Sequence, residues 1–133
     1  MNRLSLGEVS LVAISSVNLR RTISALRQSM RGIDFGSVML FSHHKPHLLD
    51  SRISLVRVPR MSSTDDYSQF VLFELHQHVT TRFCLIVQAD GYVVNPRSWS
   101  NRFLDYDYVG APWPDGDRAF RDVGGQSHRV GNG

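Results

Sequence analysis

Residues 9–41, VSLVAISSVNLRRTISALRQSMRGIDFGSVMLF, read as strand, helix, strand, and that reading decides the fold. Val9 to Ile14 is a short apolar run closed by Ser15-Ser16, the signature of a buried strand. Asn18 is a natural N-cap, and Leu19, Ile23, Leu26 and Met30 then recur at spacings of four, three and four, one face of a helix. Gly32 suits the helix C-terminus, and Ser37 to Phe41 is a second strand. A parallel pair joined by a helix is the unit of layered α/β domains.

Outward from this unit the pattern continues. A polar turn from Ser42 to His47 contains Pro46, and Ile53 to Val58 alternates as a third strand. Ser63 can cap a second helix with Asp66 three positions on, and Asp65 and Asp66 suit its positive end. That helix is expected to run to about Val79. Tyr67, Phe70, Val71, Phe73 and Leu75 give it a broad apolar face, so it is expected to be well buried. Phe83 to Val87 is the most apolar stretch and reads as a central strand, with Cys84 inert in the core. Asn95-Pro96 opens a short helical segment to Leu104 in which Trp99 is core, and Tyr106 to Val109 is read as a last short strand.

The remainder changes character. Six of the ten glycines fall between Gly110 and Gly133, and residues 115–129 read as a mobile loop without periodicity. The chain stops at Val130-Gly131-Asn132-Gly133 with no helix to close the sheet, and so reads as a single domain over 1–133 whose C-terminal part is missing.

Composition excludes several classes. Hydrophobic residues are 41% and charged residues 20%, too apolar for a disordered chain. No apolar run approaches the roughly 20 residues of a membrane span, and Met1 to Gly7 lacks a secretory signal pattern. One cysteine makes neither an internal disulfide nor a cysteine zinc cage.

The net charge is +3, with nine basic residues against three acids in residues 1–60 and six against nine thereafter. Arg20, Arg21, Arg27, Arg31, Arg52, Arg57 and Arg60 read as scattered rather than clustered. Nucleic acid is therefore not the expected partner; a solvated face, or one meeting an anionic small molecule or lipid surface, is.

Chemistry is best sought at Gln88-Ala89-Asp90, where the fourth strand ends, because open α/β sheets bind ligands beyond their strand carboxyl ends. A carboxylate there followed by Gly91 suits Mg²⁺ or Mn²⁺ bridging a diphosphate, since such ions take only one or two protein carboxylates. The same residues also read as a plain turn capped by Asp90, and the two readings stand side by side. His43, His44 and His47 surround Pro46 without an acid or cysteine at ligand spacing, and His76 and His78 fall on different helix faces, so no zinc site is expected. Tyr106, Tyr108 and Trp113 offer aromatic surface on which a base or sugar ring stacks; Trp113, between two prolines, has the fewest reasons to be core.

Taken together, Asp66-Tyr67-Ser68-x-Phe70, Gln88-x-Asp90-Gly91-Tyr92 with Asn95-Pro96, Asp107-Tyr108-Val109-Gly110-Ala111-Pro112-Trp113 and Val130-Gly131-Asn132-Gly133 resemble an uncharacterised domain-of-unknown-function family that is similar to GT-A glycosyltransferases. The resemblance spans essentially the whole chain in order. In the family the last segment is followed by a further glycine and a Ser-Leu-Arg stretch.

The resemblance implies a GT-A-like, Rossmann-like nucleotide-diphospho-sugar transferase fold, a layered sheet with flanking helices that is C-terminally incomplete. Gln88-Ala89-Asp90 would stand in the place of the D-x-D motif of GT-A glycosyltransferases, with Asp90 the metal or diphosphate contact and Mn²⁺ or Mg²⁺ the cofactor. Gln88 removes one carboxylate from that motif and weakens the metal expectation. By the same likeness Ser15, Ser16 and His43 would face the nucleotide, and Asp66 and Tyr67 the ribose or sugar. The implied activity is transfer of a sugar from a nucleotide donor to a glycan or lipid-linked acceptor in surface polysaccharide assembly. The expected location is the cytoplasm, with peripheral contact at the inner face of the membrane. Asp107, Asp115 and Asp117 are the visible candidates for a base, and the 115–126 loop would be a lid. A non-catalytic nucleotide-binding module and a divalent-metal phosphoesterase are the alternatives.

Overall fold

The computed structural model describes residues 2–112 and 120–128. The chain divides into two compact units, Met1–Ser98 and Trp99–Gly133. The first is built on four parallel strands, β1 (Leu4–Ile14), β2 (Ile33–Ser42), β3 (Ser54–Arg57) and β4 (Phe83–Ile86), in the order β3-β2-β1-β4. Helix α1 (Leu19–Ser29) joins β1 to β2, and α2 (Thr64–Phe73) lies between β3 and β4. This is an α/β sheet of the layered, Rossmann-like kind, in which the order reverses beside β1.

Strand alternation sorts the apolar residues into two cores. Leu11, Ala13, Val38 and Leu40 point toward α1 and pack with Ile23, Leu26 and Met30. Val12, Met39 and Phe41 point the other way, to Phe70 and Leu75. The Phe41 and Phe70 rings lie 5.2 Å apart, and His78 meets Phe41 edge-on at the same distance. One polar cluster interrupts the second layer. Ser10 Oγ is 2.7 Å from Ser37 Oγ and 2.6 Å from Thr81 Oγ1, and Thr81 also donates to the Phe83 carbonyl, so hydroxyls tie β1, β2 and the entry to β4 together.

β1 starts five residues earlier than its apolar run suggests, because the β1–β2 register carries an irregularity between Leu6 and Ser10 that hides the alternation. There the two backbones come close. A Cβ on Gly36 would stand 2.3 Å from the Gly7 carbonyl oxygen, so only glycine fits. α1 ends as the sequence indicates, with Gly32 at φ 74° just beyond it.

Several expectations are corrected. α2 stops at Phe73 and a short 3₁₀ turn, Leu75–Gln77, replaces its continuation to Val79. Of α2 only Phe70 is buried, while Leu72 and Phe73 are 68% and 60% exposed. At 100° per residue Leu72 falls about 160° from Phe70, on the far side, while Phe73, about 60° away, is the last residue of the helix and stays in water, so the helix has one deep contact and not a broad apolar face. β4 pairs only with β1 among the described residues, so it ends the sheet order instead of lying centrally, and Cys84 is exposed.

The second unit holds a 3₁₀ segment, Asn101–Asp105, and no strand over Tyr106–Val109. Trp99 is half-buried there, edge-on to Phe103 at 5.2 Å, with its indole N–H donating to Asn101 Oδ1. Part of the expected loop is a small antiparallel hairpin, β5 (Phe120–Arg121) and β6 (Ser127–His128). Asp122 Oδ1 fastens its turn by accepting from the Gly124 and Gln126 amides. Two local turns chain those residues together, a device that carries no hydrophobic period. Trp113, Asp115, Asp117 and the segment 129–133 lie outside the described residues.

Candidate functional site

β1 and β4 are parallel neighbours, β1 leading into α1 and β4 into the 88–91 turn. A cleft of about 540 Å³ lies beyond their carboxyl ends. Its walls are Ser15 and Ser16 after β1, Asn18 at the start of α1, Ser63 and Tyr67 on the α2 side, and Asp90 after β4.

Each wall is fixed by backbone chemistry. Ser15 is buried, its amide donating to the Phe41 carbonyl at 2.9 Å and its hydroxyl to the Val17 carbonyl. Ser16 Oγ accepts from the Met61 amide at 2.8 Å, holding the segment before α2 against the end of β1. Asn18 takes the left-handed conformation, φ 54°, which asparagine tolerates better than most residues, and its side chain makes no capping bond to α1. Asn18, with Val17 and Thr22, brings the start of α1 to the cleft wall.

On the far wall, Ser63 Oγ accepts from the Asp66 amide at 3.1 Å, the expected cap of α2. Asp66 does not line the cleft: its Oδ2 accepts from the Ser62 amide at 2.9 Å and the Ser62 hydroxyl at 3.2 Å. Those bonds hold its carboxyl below the usual carboxylate range. Asp66 therefore shapes the loop that forms the wall.

Gln88 and Gly91 close a turn on one another, with the Gln88 amide donating to the Gly91 carbonyl at 2.8 Å and the return bond at 3.2 Å. Ala89 and Asp90 form its tip, and Asp90 is exposed. Gln88 Nε2 donates to the Tyr67 phenol oxygen at 3.2 Å, joining the β4 turn to α2 across the cleft. A Cβ on Gly91 would meet nothing within 4 Å and the residue has no positive φ, so neither sterics nor backbone conformation requires glycine there.

Of the residues singled out in the sequence, Ser15, Ser16, Tyr67, Gln88 and Asp90 are brought together in this cleft. His43 is not among its walls; it follows β2, and its buried Nδ1 has no hydrogen-bond partner among the described residues. Asp107 is exposed and belongs to the second unit. No three His, Cys, Asp or Glu side chains gather at a metal-binding distance among the described residues. Sequence reading missed the contributions of Asn18 and the Met61–Thr64 segment, although Ser63 as a cap already fixed where α2 begins.

A parallel α/β domain with a cleft at the sheet's point of reversal belongs to the class that holds ligands beyond its strand ends. Residues 51–133 match the family described as Protein of unknown function (DUF5672), and the chain belongs to that family. No curated protein matches the chain, and no solved structure does.

Proposed function

We propose that the cleft between β1 and β4 holds a nucleotide-diphospho-sugar, and that the protein is a GT-A-like glycosyltransferase acting on a glycan or lipid-linked acceptor in surface polysaccharide assembly. The observation that carries this reading is the convergence of Ser15-Ser16, the uncapped start of α1 and the Asp90 turn on one cleft. Helix N-termini receive phosphate through their amides and dipole, so the diphosphate belongs against the first turn of α1. Tyr67, half-buried and steadied by Gln88, offers a ring face to the ribose or sugar.

Among the described residues Asp90 is the one carboxylate on the cleft wall. That donor set fits a hard cation which draws its remaining ligands from the diphosphate and water, as Mg²⁺ and Mn²⁺ do. Such an ion would neutralise charge on the departing diphosphate. The chain's own residues bind and orient: α1 meets the phosphates, Tyr67 the sugar, and the Gln88–Gly91 turn sets the position of Asp90. The scarcity of carboxylates also favours a second reading, a module that binds the nucleotide without turning it over.

Calorimetry of the chain with UDP and GDP sugars, with and without Mn²⁺, tests the donor site. Metal-dependent binding lost in Asp90→Ala supports it, and binding indifferent to both Mn²⁺ and Asp90 rejects Asp90 as the contact. Sugar transfer abolished in Asp90→Asn separates the enzyme from the module. Release of phosphate without acceptor identifies a phosphoesterase instead.

A further inference from the structure

We propose that the outer face of α1 docks on an anionic lipid membrane. The arginines that look scattered in the sequence are aligned by the helix. Arg20 and Arg27, seven apart, fall within about 20° of one line at 100° per residue, and Arg31, in the turn just past the helix, lines one groove with them. Arg21 flanks them, and α1 contains no acid. None of the four makes a salt bridge with a described residue. The opposite face of the helix, with Ile23, Ala25 and Leu26, is buried against the sheet, so the arginine ridge is its outward side.

A groove runs along each flank of this ridge. One lies between α1 and the segment after β4, where the Val93 amide donates to Ser29 Oγ at 3.1 Å; its far wall carries Tyr92 and Val94. The other lies between α1 and the segment after β2, with His47 and Leu48 on its far wall. Val94 is 73% exposed and Leu48 82%. A row of guanidiniums is thus bordered on both sides by aliphatic side chains left in water. Asp50, which feels Arg27, is already paired with Arg52 at 2.7 Å.

A nucleic acid would match the arginines and leave Leu48 and Val94 unused. A lipid surface takes both, with headgroup phosphates on the guanidiniums and the aliphatic side chains at the acyl boundary. Ala89 borders both the Val94 groove and the β1/β4 cleft, so a docked protein holds that cleft beside the membrane. The inference stands without the transferase reading.

Co-sedimentation of the full chain with phosphatidylcholine vesicles, and with vesicles containing phosphatidylglycerol, is the test. The chain is expected to sediment with the anionic vesicles alone. Arg20→Glu/Arg27→Glu is expected to lower binding at least about tenfold, since each basic residue near an anionic surface contributes attraction. Arg82→Glu, which removes a cation lining neither groove, leaves binding in place. Leu48→Asp/Val94→Asp also weakens binding, and keeps the test intact if the helix variant misfolds. Equal binding to both vesicle types, or full retention by either double variant when circular dichroism shows it folded, overturns the proposal. So does a duplex RNA that displaces the vesicles and binds Leu48→Asp/Val94→Asp as well as the parent.

Discussion

The side-chain amide of Gln88 donates to the phenol oxygen of Tyr67 at 3.2 Å, and this one bond spans from the end of β4 to α2. It gives the neutral Gln88 a structural role beside the Asp90 turn. A carboxylate at 88 would accept from the Tyr67 hydroxyl and add negative charge beside Asp90.

Gln88→Glu is therefore expected to keep the fold and to raise Mn²⁺ affinity, read by calorimetry with metal alone. No gain would remove the 88–90 turn as a cation site. Tyr67→Phe leaves the Gln88 amide without this acceptor and is expected to cost about 1 kcal/mol in urea denaturation, the usual net worth of such a bond.

At the start of α2, Ser63→Ala removes the hydroxyl that accepts from the Asp66 amide. The expected loss is about 1 kcal/mol, typical of an N-cap. Melting temperature by circular dichroism reads it directly.

The Asp66 carboxyl, lowered chiefly by the Ser62 amide and then by the Ser62 hydroxyl, adds a pH signature. A depressed carboxyl pKa contributes stability above its unfolded value, and that contribution is lost as pH falls through the folded one. Parent and Asp66→Asn should therefore differ in melting temperature at pH 7 and converge as the pH drops below about 4. A difference that stays constant down to pH 2 would refute the assignment.

Gly36 and Gly91 make a contrasting pair. Gly36→Ala drives a Cβ to 2.3 Å from the Gly7 carbonyl, where backbone must move, and is expected to cost about 3 kcal/mol. Gly91→Ala meets open space and should change stability by less than about 0.5 kcal/mol. If a donor presses on that turn, the same variant weakens nucleotide-sugar binding. Unchanged binding would place the ligand elsewhere.

Phe70→Ala should be costly, about 3–5 kcal/mol, because the ring is buried against Phe41. Leu72→Ala, on the exposed side of the same helix, should stay within about 0.5 kcal/mol. Equal losses in urea denaturation would restore the broad apolar face that the sequence suggests.

Legibility followed physical period. The β1–α1–β2 unit could be read because a parallel strand buried on both faces is continuously apolar and its helix shows a clean stripe. α2 was misread because Leu72 and Phe73 are apolar without being buried, and counting hydrophobic residues does not tell which side of a helix meets the sheet. The 88–90 turn was found through its chemistry and its place after a strand. Arg20 and Arg27 look dispersed along the chain but share one line of the helix, with Arg31 in the turn that follows it. Nothing periodic marks the backbone-held hairpin at 120–128.

The pairing of the sheet also bears on how the molecule can be divided. β3 pairs with β2 and β4 with β1, and neither pairs with the other. The 51–133 segment matched by the family therefore contains two strands whose hydrogen-bonding neighbours both lie upstream of it. Cut out and expressed alone, it would carry unmatched ladder edges and the smaller share of the buried residues of each apolar layer, a recipe for aggregation. The first 42 residues act as its template, and a separately supplied 1–50 fragment is the natural partner with which to restore it by complementation.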